Sequence, residues 1–562
     1  MAISLVPKSG AWSLFRVTEK AGMTNTTFFL SLTNRWLPTK TSSRIQIGSI
    51  FNKHKNFIQM NSKTLICSAL ALMMGLAGMA QSKRYCNPLP MPIGNGGNAA
   101  GDVTVIEEGG KYYMYCTGGG AWVSDDLVDW TFHEVKGVPV APDIVKYNGK
   151  FYLSGNSDNL FVSDSPLGPF KDLGPFKNTY AIEDGWNGGF DTKIYVDDDN
   201  TPYLFWPGRG ISGIYGVRLD PKDLTRFMEK PTHLFGFNPM HAWERYGEKN
   251  EYPGVAWIEG PWVEKRNGIY YLEYSASGTQ WKTYAEGYYT ATSPLGPYSY
   301  APNNPLLRKT EGLVTGTAHG SIVKGPDGEL YQFYTIVLSN PPGGRRIGMD
   351  KVTFDEDGLM YVTVTDNPQK APLAKEAKTS IPVTINKMNA MNALSKASSS
   401  QTGFPAAYAV DDYSGTLWMP AADDKQPYLM IELSPATRFD VVQLFEVDGM
   451  RILFGNGQGR GWRTPGAPLP VYKYKLEVSM DGKTWTTAVD QTRNTVSRDT
   501  VFDDFTPTTC RFVKLTVTDW PKNTPLGIID FTVFGTPAGH LPAAVATPTY
   551  YQLPPDKPAS SR

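Results

Sequence analysis

The sequence predicts an all-β protein, a five-bladed β-propeller followed by a β-sandwich, and three observations predict it. Aromatic residues make up 12% of the 562-residue chain, beside 55 Gly and 43 Pro, a mixture that favours aromatic strands joined by tight turns over long helices. A turn followed by an aromatic strand recurs five times between residues 109 and 335. Near residue 375 the text becomes polar and aromatic-poor, then resumes as short alternating strands. A chain of this length is expected to form two or more domains. Lys+Arg and Asp+Glu both total 54, so the basic surface that nucleic acid or an anionic membrane would select is missing, and no nucleic-acid partner is expected.

The repeats give the blades. They read GGKYYMYCT from Gly109, NGKFYLSGN from Asn148, DNTPYLFWP from Asp199, NGIYYLEYS from Asn267 and DGELYQFYT from Asp327. Gly, Asn and Asp suit tight hairpin turns, and the Tyr/Phe/Leu runs suit half-buried strands. Each is preceded by a second short apolar strand: VTVIEE, DIVKY, KIYVDD, PWVEK and SIVKG. Hairpins recurring at roughly 40 to 70 residues read as propeller blades of about four strands each. SDSPLGPFKD from Ser163 and TSPLGPYSY from Thr292 are near copies and belong to the outer strands of two blades.

Registering the blades on one another brings out candidate residues. At the start of each innermost strand stand Asp102, Ala141 or Pro142, Asp191, Glu259 and His319. Innermost strands of a propeller surround its axis, so these positions share one end of the central funnel. A single Asp or Glu at a strand start usually serves a turn. Several at one register put like charges together in a confined space, at a cost in repulsion and desolvation. Chemistry that needs carboxylates of separated pKa supplies a reason to carry that cost.

The segments AAGDVTVIEEGGKYYMYCTG, GGFDTKIYVDDDNTPYLFW, WIEGPWVEKRNGIYYLEYS, GTAHGSIVKGPDG and GRRIGMDKVTFDEDG together resemble glycoside hydrolase family 43 over roughly residues 84–365. The resemblance implies a glycosidase that inverts the anomeric carbon. It gives Asp102 as general base, Glu259 as general acid, and Asp191 as the carboxylate that orients the acid and raises its pKa. It places His319 near the axis, where relatives bind water or calcium, and gives Arg345 as a sugar contact with Arg346 as the fallback. Val103 follows Asp102 where the family often has proline. Inversion needs a protonated acid and an ionised base about 6.5–9.5 Å apart, with water between base and sugar. Opposite sides of a narrow axis suit that separation.

Trp257, two residues before Glu259, and Phe190, directly before Asp191, are candidates to floor a sugar pocket. Trp122, Trp186, Trp206 and Trp243 are weighed with them, blade packing being the commoner role for each. The insertion MHAWERYGEKNEYPGVAW from Met240 could wall the pocket and favour exo action. The expected substrate is a plant-type polysaccharide or oligosaccharide, cut as an α-L-arabinofuranoside or β-xyloside, with β-galactoside left open. The alternative is a non-catalytic sugar-binding propeller, which has no use for three convergent carboxylates. No cofactor is required on this reading; no metal ligand set is assigned, and a structural calcium near His319 is left open.

The expected domains are a leader over 1–80, the propeller over 81–372, a linker over 373–390, the sandwich over 391–536 and a disordered tail over 537–562. The sandwich segments AAYAVDDYSGTLWMP, YKYKLEVSMDGKTW and TTCRFVKLTVTDW resemble the discoidin-like, coagulation-factor 5/8 type C domain, which includes carbohydrate-binding module family 32. Trp418 and Trp485 read as core, and the loop FGNGQGRGWRTPGAPLP offers Arg460, Trp462 and Arg463 as sugar contacts. From Met60, the basic Lys63, an apolar run Leu65 to Ala77 and the exit Gly78-Met79-Ala80 read as a secretory signal, too short for a membrane span. Residues 1–59 then read as an upstream mis-assigned start. The mature protein is expected to be periplasmic or extracellular, where Cys86 and Cys116 could pair or stay as buried thiols beside Cys510.

Overall fold

The computed structural model describes residues 2–6, 13–18, 27–30, 83–180, 189–339, 344–384, 395–433, 441–456 and 468–542. The chain divides into two units, Met1–Met79 and Ala80–Arg562. In the first, Ala2–Val6, Ser13–Thr18 and Thr27–Leu30 pair as a three-stranded antiparallel sheet. Runs such as SLFRVT and TFFL carry enough aromatic and β-branched side chains to pair. The apolar run of the expected secretory signal lies outside the described residues.

The second unit opens with five antiparallel sheets, each a four-strand meander in chain order. The innermost strands are Gly101–Glu108, Asp143–Tyr147, Lys193–Val196, Glu259–Arg266 and Ala318–Lys324. Each is followed by its aromatic strand: Lys111–Thr117, Lys150–Ser154, Pro202–Pro207, Ile269–Ala276 and Leu330–Val337. Blade 3 carries an additional strand, Thr232–Phe235, on Ile214–Asp220. Each innermost strand neighbours the next, and that of blade 5 neighbours that of blade 1, so the ring closes into a five-bladed β-propeller. Beside the ring, Arg84–Tyr85 pairs with Gln369–Lys370, tying the two ends of this part of the chain together.

The sandwich packs two sheets. One runs Ile381–Pro382, Gly527–Pro542, Val441–Gly455, Thr500–Cys510, and the other Ser395–Ala397, Tyr428–Glu432, Phe512–Asp519, Lys473–Ser479, Thr486–Asp490. Alternating side chains of both, among them Leu429, Ile431, Ile452, Leu476, Val513 and Phe531, enclose the buried Trp418. Two boundaries differ from expectation. Ile381–Pro382, inside the expected linker, already pairs with Phe534 and Gly535, and the strand from Gly527 passes residue 536 to end at Pro542 opposite Val441. Backbone pairing, which composition does not reveal, extends the sandwich at both ends.

Sandwich and propeller share one apolar core: Leu417, Met419, Leu453 and Ile529 pack with Leu313, Val314, Ile336 and Leu338. Buried Arg451 donates to the carbonyls of Asn87 and Asp366 in the propeller segment and pairs with Asp530 at 2.9 Å. Cys86, Cys116 and Cys510 are free and buried. Among the described residues, no helix is long and apolar enough to cross a membrane.

Candidate active site

The innermost strands begin with one unusual backbone feature in every blade. Asp102, Ala141, Asp191, Gly260 and His319 have φ of 55°, 46°, 40°, 59° and 49°, the left-handed region that costs an L-residue other than glycine roughly 1–2 kcal/mol. At this left-handed turn each N–H points into the preceding blade. Asp102 donates to Thr335 Oγ1 at 2.6 Å, Ala141 to Thr117 Oγ1 at 2.8 Å, Asp191 to Asn156 Oδ1 at 2.6 Å and His319 to Ser275 Oγ at 2.8 Å. In blade 4 the donor is Gly260, and its N–H goes to the Asp191 carboxyl itself.

This geometry corrects the register read from sequence. Glu259 pairs with Ser275 as Gly101 pairs with Thr117 and Ala318 with Thr335, each before a bulge. Backbone equivalence therefore aligns Gly260, not Glu259, with Asp102, Asp191 and His319; Glu259 enters the funnel from one position earlier. Gly260 is also required sterically, since a Cβ there would lie 2.8 Å from the His319 ring.

The three carboxyls are buried but differently partnered. Asp102 accepts from Arg345 Nη1 at 2.9 Å on both oxygens and from Thr117 Oγ1 at 2.6 Å. Glu259 Oε1 accepts from the Tyr284 hydroxyl at 2.8 Å. His319 Nδ1 lies 3.3 Å from Asp102 Oδ1 and 3.8 Å from Asp191 Oδ2, linking the two across the ring. Burial, and then the charge of Asp102, push Glu259 up to about 7 against the pull of the Tyr284 hydrogen bond and Arg345. Asp191 is pushed well above the usual carboxylate range by burial first, then by Glu259 and Asp102. Near neutral pH the Asp191–Glu259 pair therefore retains a proton. Burial lowers the His319 pKa, outweighing Asp102, and keeps the imidazole neutral.

Arg345 is 2% exposed, and its remaining bonds run to the Ala99 carbonyl, from Nε at 3.0 Å and Nη2 at 2.6 Å, and to Thr279 Oγ1 from Nη1 at 3.4 Å. Its described contacts hold Asp102 rather than open onto the funnel. Arg346 faces away, toward Asp499 at 2.9 Å and Thr500 Oγ1 at 3.2 Å in the sandwich. Phe190 and Trp257 are half-buried and meet with ring centroids 6.4 Å apart. Trp122 packs on Phe132, Trp206 on Tyr215 and Phe227, and Trp243 donates to the Tyr300 hydroxyl; all three are blade packing. Trp186, Arg460, Trp462 and Arg463 lie outside the described residues.

Calcium takes six to eight oxygen ligands, waters among them, and His319 itself offers nitrogen. Its described neighbours include an imidazole-facing Asp102 already bound by a guanidinium. Among the described residues no group of three or more His, Cys, Asp or Glu side chains could hold a metal ion.

Tyr284, Thr117 and Asn156 are absent from the residues picked out by sequence. Thr117, Asn156, Pro207, Ser275 and Thr335 each stand ninth in their aromatic repeat, and four of these five are the acceptors of the inter-blade N–H bonds. That recurrence was legible. Tyr284 sits in no repeat and gave no signal.

Residues 90–360 match the model of glycosyl hydrolases family 43, and residues 394–530 that of the F5/8 type C domain. A β-D-galactofuranosidase of Aspergillus niger is 27% identical over 280 residues, covering 44% of this chain and 74% of the relative. A xylosidase/arabinosidase of Humicola insolens is 27% identical over 269 residues, covering 41% and 75%. A solved thermostable family-43 glycoside hydrolase is 28% identical, covers 51% of this chain and 99% of its own, and superposes with a TM-score of 0.43.

Proposed function

For a chain that belongs to glycosyl hydrolase family 43 through residues 90–360 and is thus a glycosidase acting on O-glycosyl bonds, we propose single-displacement hydrolysis with inversion. Asp102 is the base, Glu259 the acid, and Asp191 the carboxyl that positions Glu259. The observation that carries this reading is the unequal partnering of the carboxyls. Asp102 is bound on both oxygens by Arg345, which favours its charged form. Glu259, buried beside a phenol and held up to about 7, favours its protonated form. In the reaction Glu259 gives its proton to the leaving oxygen as the C–O bond breaks. Asp102 takes a proton from the water whose oxygen bonds to the anomeric carbon, and both products leave neutral.

We propose exo action on plant-type polysaccharide or oligosaccharide, with α-L-arabinofuranoside or β-D-xyloside as the bond cut. Relatives named for xylose, arabinose and galactofuranose support testing all three sugars. The Phe190–Trp257 pair, one residue before Asp191 and two before Glu259, supports a stacking floor. On this reading the protein is exported by the run that follows Lys63, works in the periplasm or outside the cell, needs no cofactor, and carries sugar contacts at Arg460 and Trp462 on the sandwich.

The test is a panel of aryl glycosides: α-L-arabinofuranoside, β-D-xyloside, β-D-galactofuranoside and β-D-galactopyranoside. Proton NMR of the first product follows on whichever is cleaved. The inverted anomer is expected; a retained anomer would exclude Asp102 as a base acting on water.

A further inference from the structure

Resting on the assignment of Glu259 as the acid, we propose that Tyr284 is a positioning residue that decides which oxygen of Glu259 carries the catalytic proton. A carboxylic acid holds its proton on one oxygen, and the other accepts. Tyr284 donates to Oε1 at 2.8 Å, so Oε1 is the carbonyl oxygen and the proton resides on Oε2. Without a donor at Oε1 the proton exchanges between two equivalent oxygens, and half of the acid population is turned away from the leaving group.

Tyr284 is built for a fixed orientation. It stands immediately before the third strand of blade 4, Ala285–Ala291, whereas Glu259 begins the innermost strand of the same blade. Its side chain is fully buried against Ala318 and Val337, and its N–H is held by the Trp281 carbonyl at 3.1 Å. Burial, together with Glu259, Asp102 and Asp191, drives the phenol well above its ordinary pKa. It therefore stays protonated, and a donor, around neutral pH.

The bond also changes strength during the reaction. Before proton transfer the phenol meets a neutral carbonyl oxygen; afterwards it meets a carboxylate, and charge-assisted hydrogen bonds are about twice as strong as neutral ones. An interaction that strengthens along the reaction coordinate lowers the barrier. Tyr284 thus makes Glu259 a stronger acid, opposing burial and Asp102, in the same direction as Arg345. The other groups facing Glu259 are Asp191, whose carboxyl holds the Gly260 N–H, and His319 across Gly260.

Tyr284→Phe keeps the ring and removes the donor. The experiment reads kcat against pH and against leaving-group pKa for wild type, Tyr284→Phe and Glu259→Gln, using aryl glycosides from dinitrophenyl to phenyl and an unactivated disaccharide. Loss of a hydrogen bond to a charged group is expected to lower kcat roughly ten- to a hundredfold on the disaccharide. The dinitrophenyl substrate, which needs little acid assistance, should change little. The alkaline limb should move to higher pH, since the acid has become weaker. Should Tyr284→Phe fail to fold, 2,3-difluorotyrosine at position 284, a stronger donor, should move the limb to lower pH. An equal loss on all leaving groups with an unmoved limb, or an unmoved limb with the fluorinated residue, would overturn the proposal. Full activity of Glu259→Gln on the disaccharide would instead remove the acid assignment on which it rests.

Discussion

Replacing Glu259 by glutamine should stabilise the protein in a pH-dependent way while removing its activity. The Glu259 carboxyl titrates at an ordinary 4.5 when unfolded and at about 7 in the folded funnel, burial being the main cause. Between these values the native state binds the extra proton, so unfolding releases protons and stability falls as pH rises. The full effect corresponds to about 2.5 pKa units at 1.36 kcal/mol each, or about 3 kcal/mol. It is absent near pH 4.5 and complete above pH 7. Glutamine is uncharged throughout and its Oε1 still accepts from Tyr284, so the variant escapes the loss. Part of the gain is returned at high pH, because Asp191, relieved of Glu259, begins to ionise in its place; about 3 kcal/mol is therefore an upper bound.

Thermal unfolding of both proteins from pH 5 to pH 8 measures this. A folding unit of this size has an unfolding entropy of roughly 1 kcal/mol per degree. The Tm difference in favour of Glu259→Gln should accordingly open from near zero at pH 5 to as much as about 3 °C at pH 8. Activity on an unactivated glycoside should fall by about 10²–10⁴-fold at every pH. A Tm difference that does not change with pH, or a variant less stable at pH 8, would refute the claim that Glu259 is ionised at a cost in the native funnel.

Asp102→Asn should likewise lose about 10²–10⁴-fold in kcat, measured on the same substrates; activity within threefold of wild type would remove Asp102 as the base. Asp191→Asn keeps an acceptor for the Gly260 N–H, whereas Asp191→Ala orphans that buried donor, so the alanine variant should be less stable by about 1–3 kcal/mol in denaturant titration. Arg451→Met leaves Asp530 buried and unpaired and should cost about 3–5 kcal/mol, most of it recovered in Arg451→Met/Asp530→Val. Cys86, Cys116 and Cys510 are buried, with thiols pushed up to about 12 by burial; they should resist a thiol reagent in the native protein and react on unfolding.

The blades were legible because their turn and strand chemistry is local: a Gly, Asn or Asp turn and an aromatic run declare a hairpin without reference to anything distant. Asp102, Asp191 and His319 were legible for a related reason, since each stands a near-constant distance before its repeat. Glu259 was picked out by the same spacing but stands one position off the backbone register, because a left-handed residue inside a bulge shifts a side chain by one position without altering the spacing of the repeats. Arg345 was picked out as a sugar contact, and its pairing with Asp102 was not foreseen. That a guanidinium on the third strand of blade 5 reaches Asp102 on the first strand of blade 1 depends on the ring closing, a long-range fact. Tyr284 was invisible for the same reason in a stronger form: its place beside Glu259 follows from the path of a loop between two strands, and no period of the sequence records it. The sandwich boundaries were misjudged where backbone pairing, rather than composition, extends a strand to Pro542.

One departure from the repeat joins the fold to the chemistry. In four blades the ninth residue of the aromatic repeat, Thr117, Asn156, Ser275 or Thr335, takes the N–H of the left-handed residue in the next blade. Blade 3 ends its repeat in Pro207, whose side chain has nothing to offer as an acceptor. The N–H left over is that of Gly260, adjacent to Glu259, and it is taken by the Asp191 carboxyl. Asp191 therefore cannot be understood only as a charge near the acid. It fixes the backbone from which Glu259 projects, and it does so with the oxygen atoms whose ionisation Glu259 opposes. A hydroxyl in its place would close the ring as well as Thr117 or Thr335 does, but would leave Glu259 without a partner to share a proton. The loss of a side-chain acceptor at position 207 is thus matched by a carboxyl at 191 that serves as both clasp and electrostatic neighbour, which explains why this blade junction, unlike the other four, is built from a titratable group.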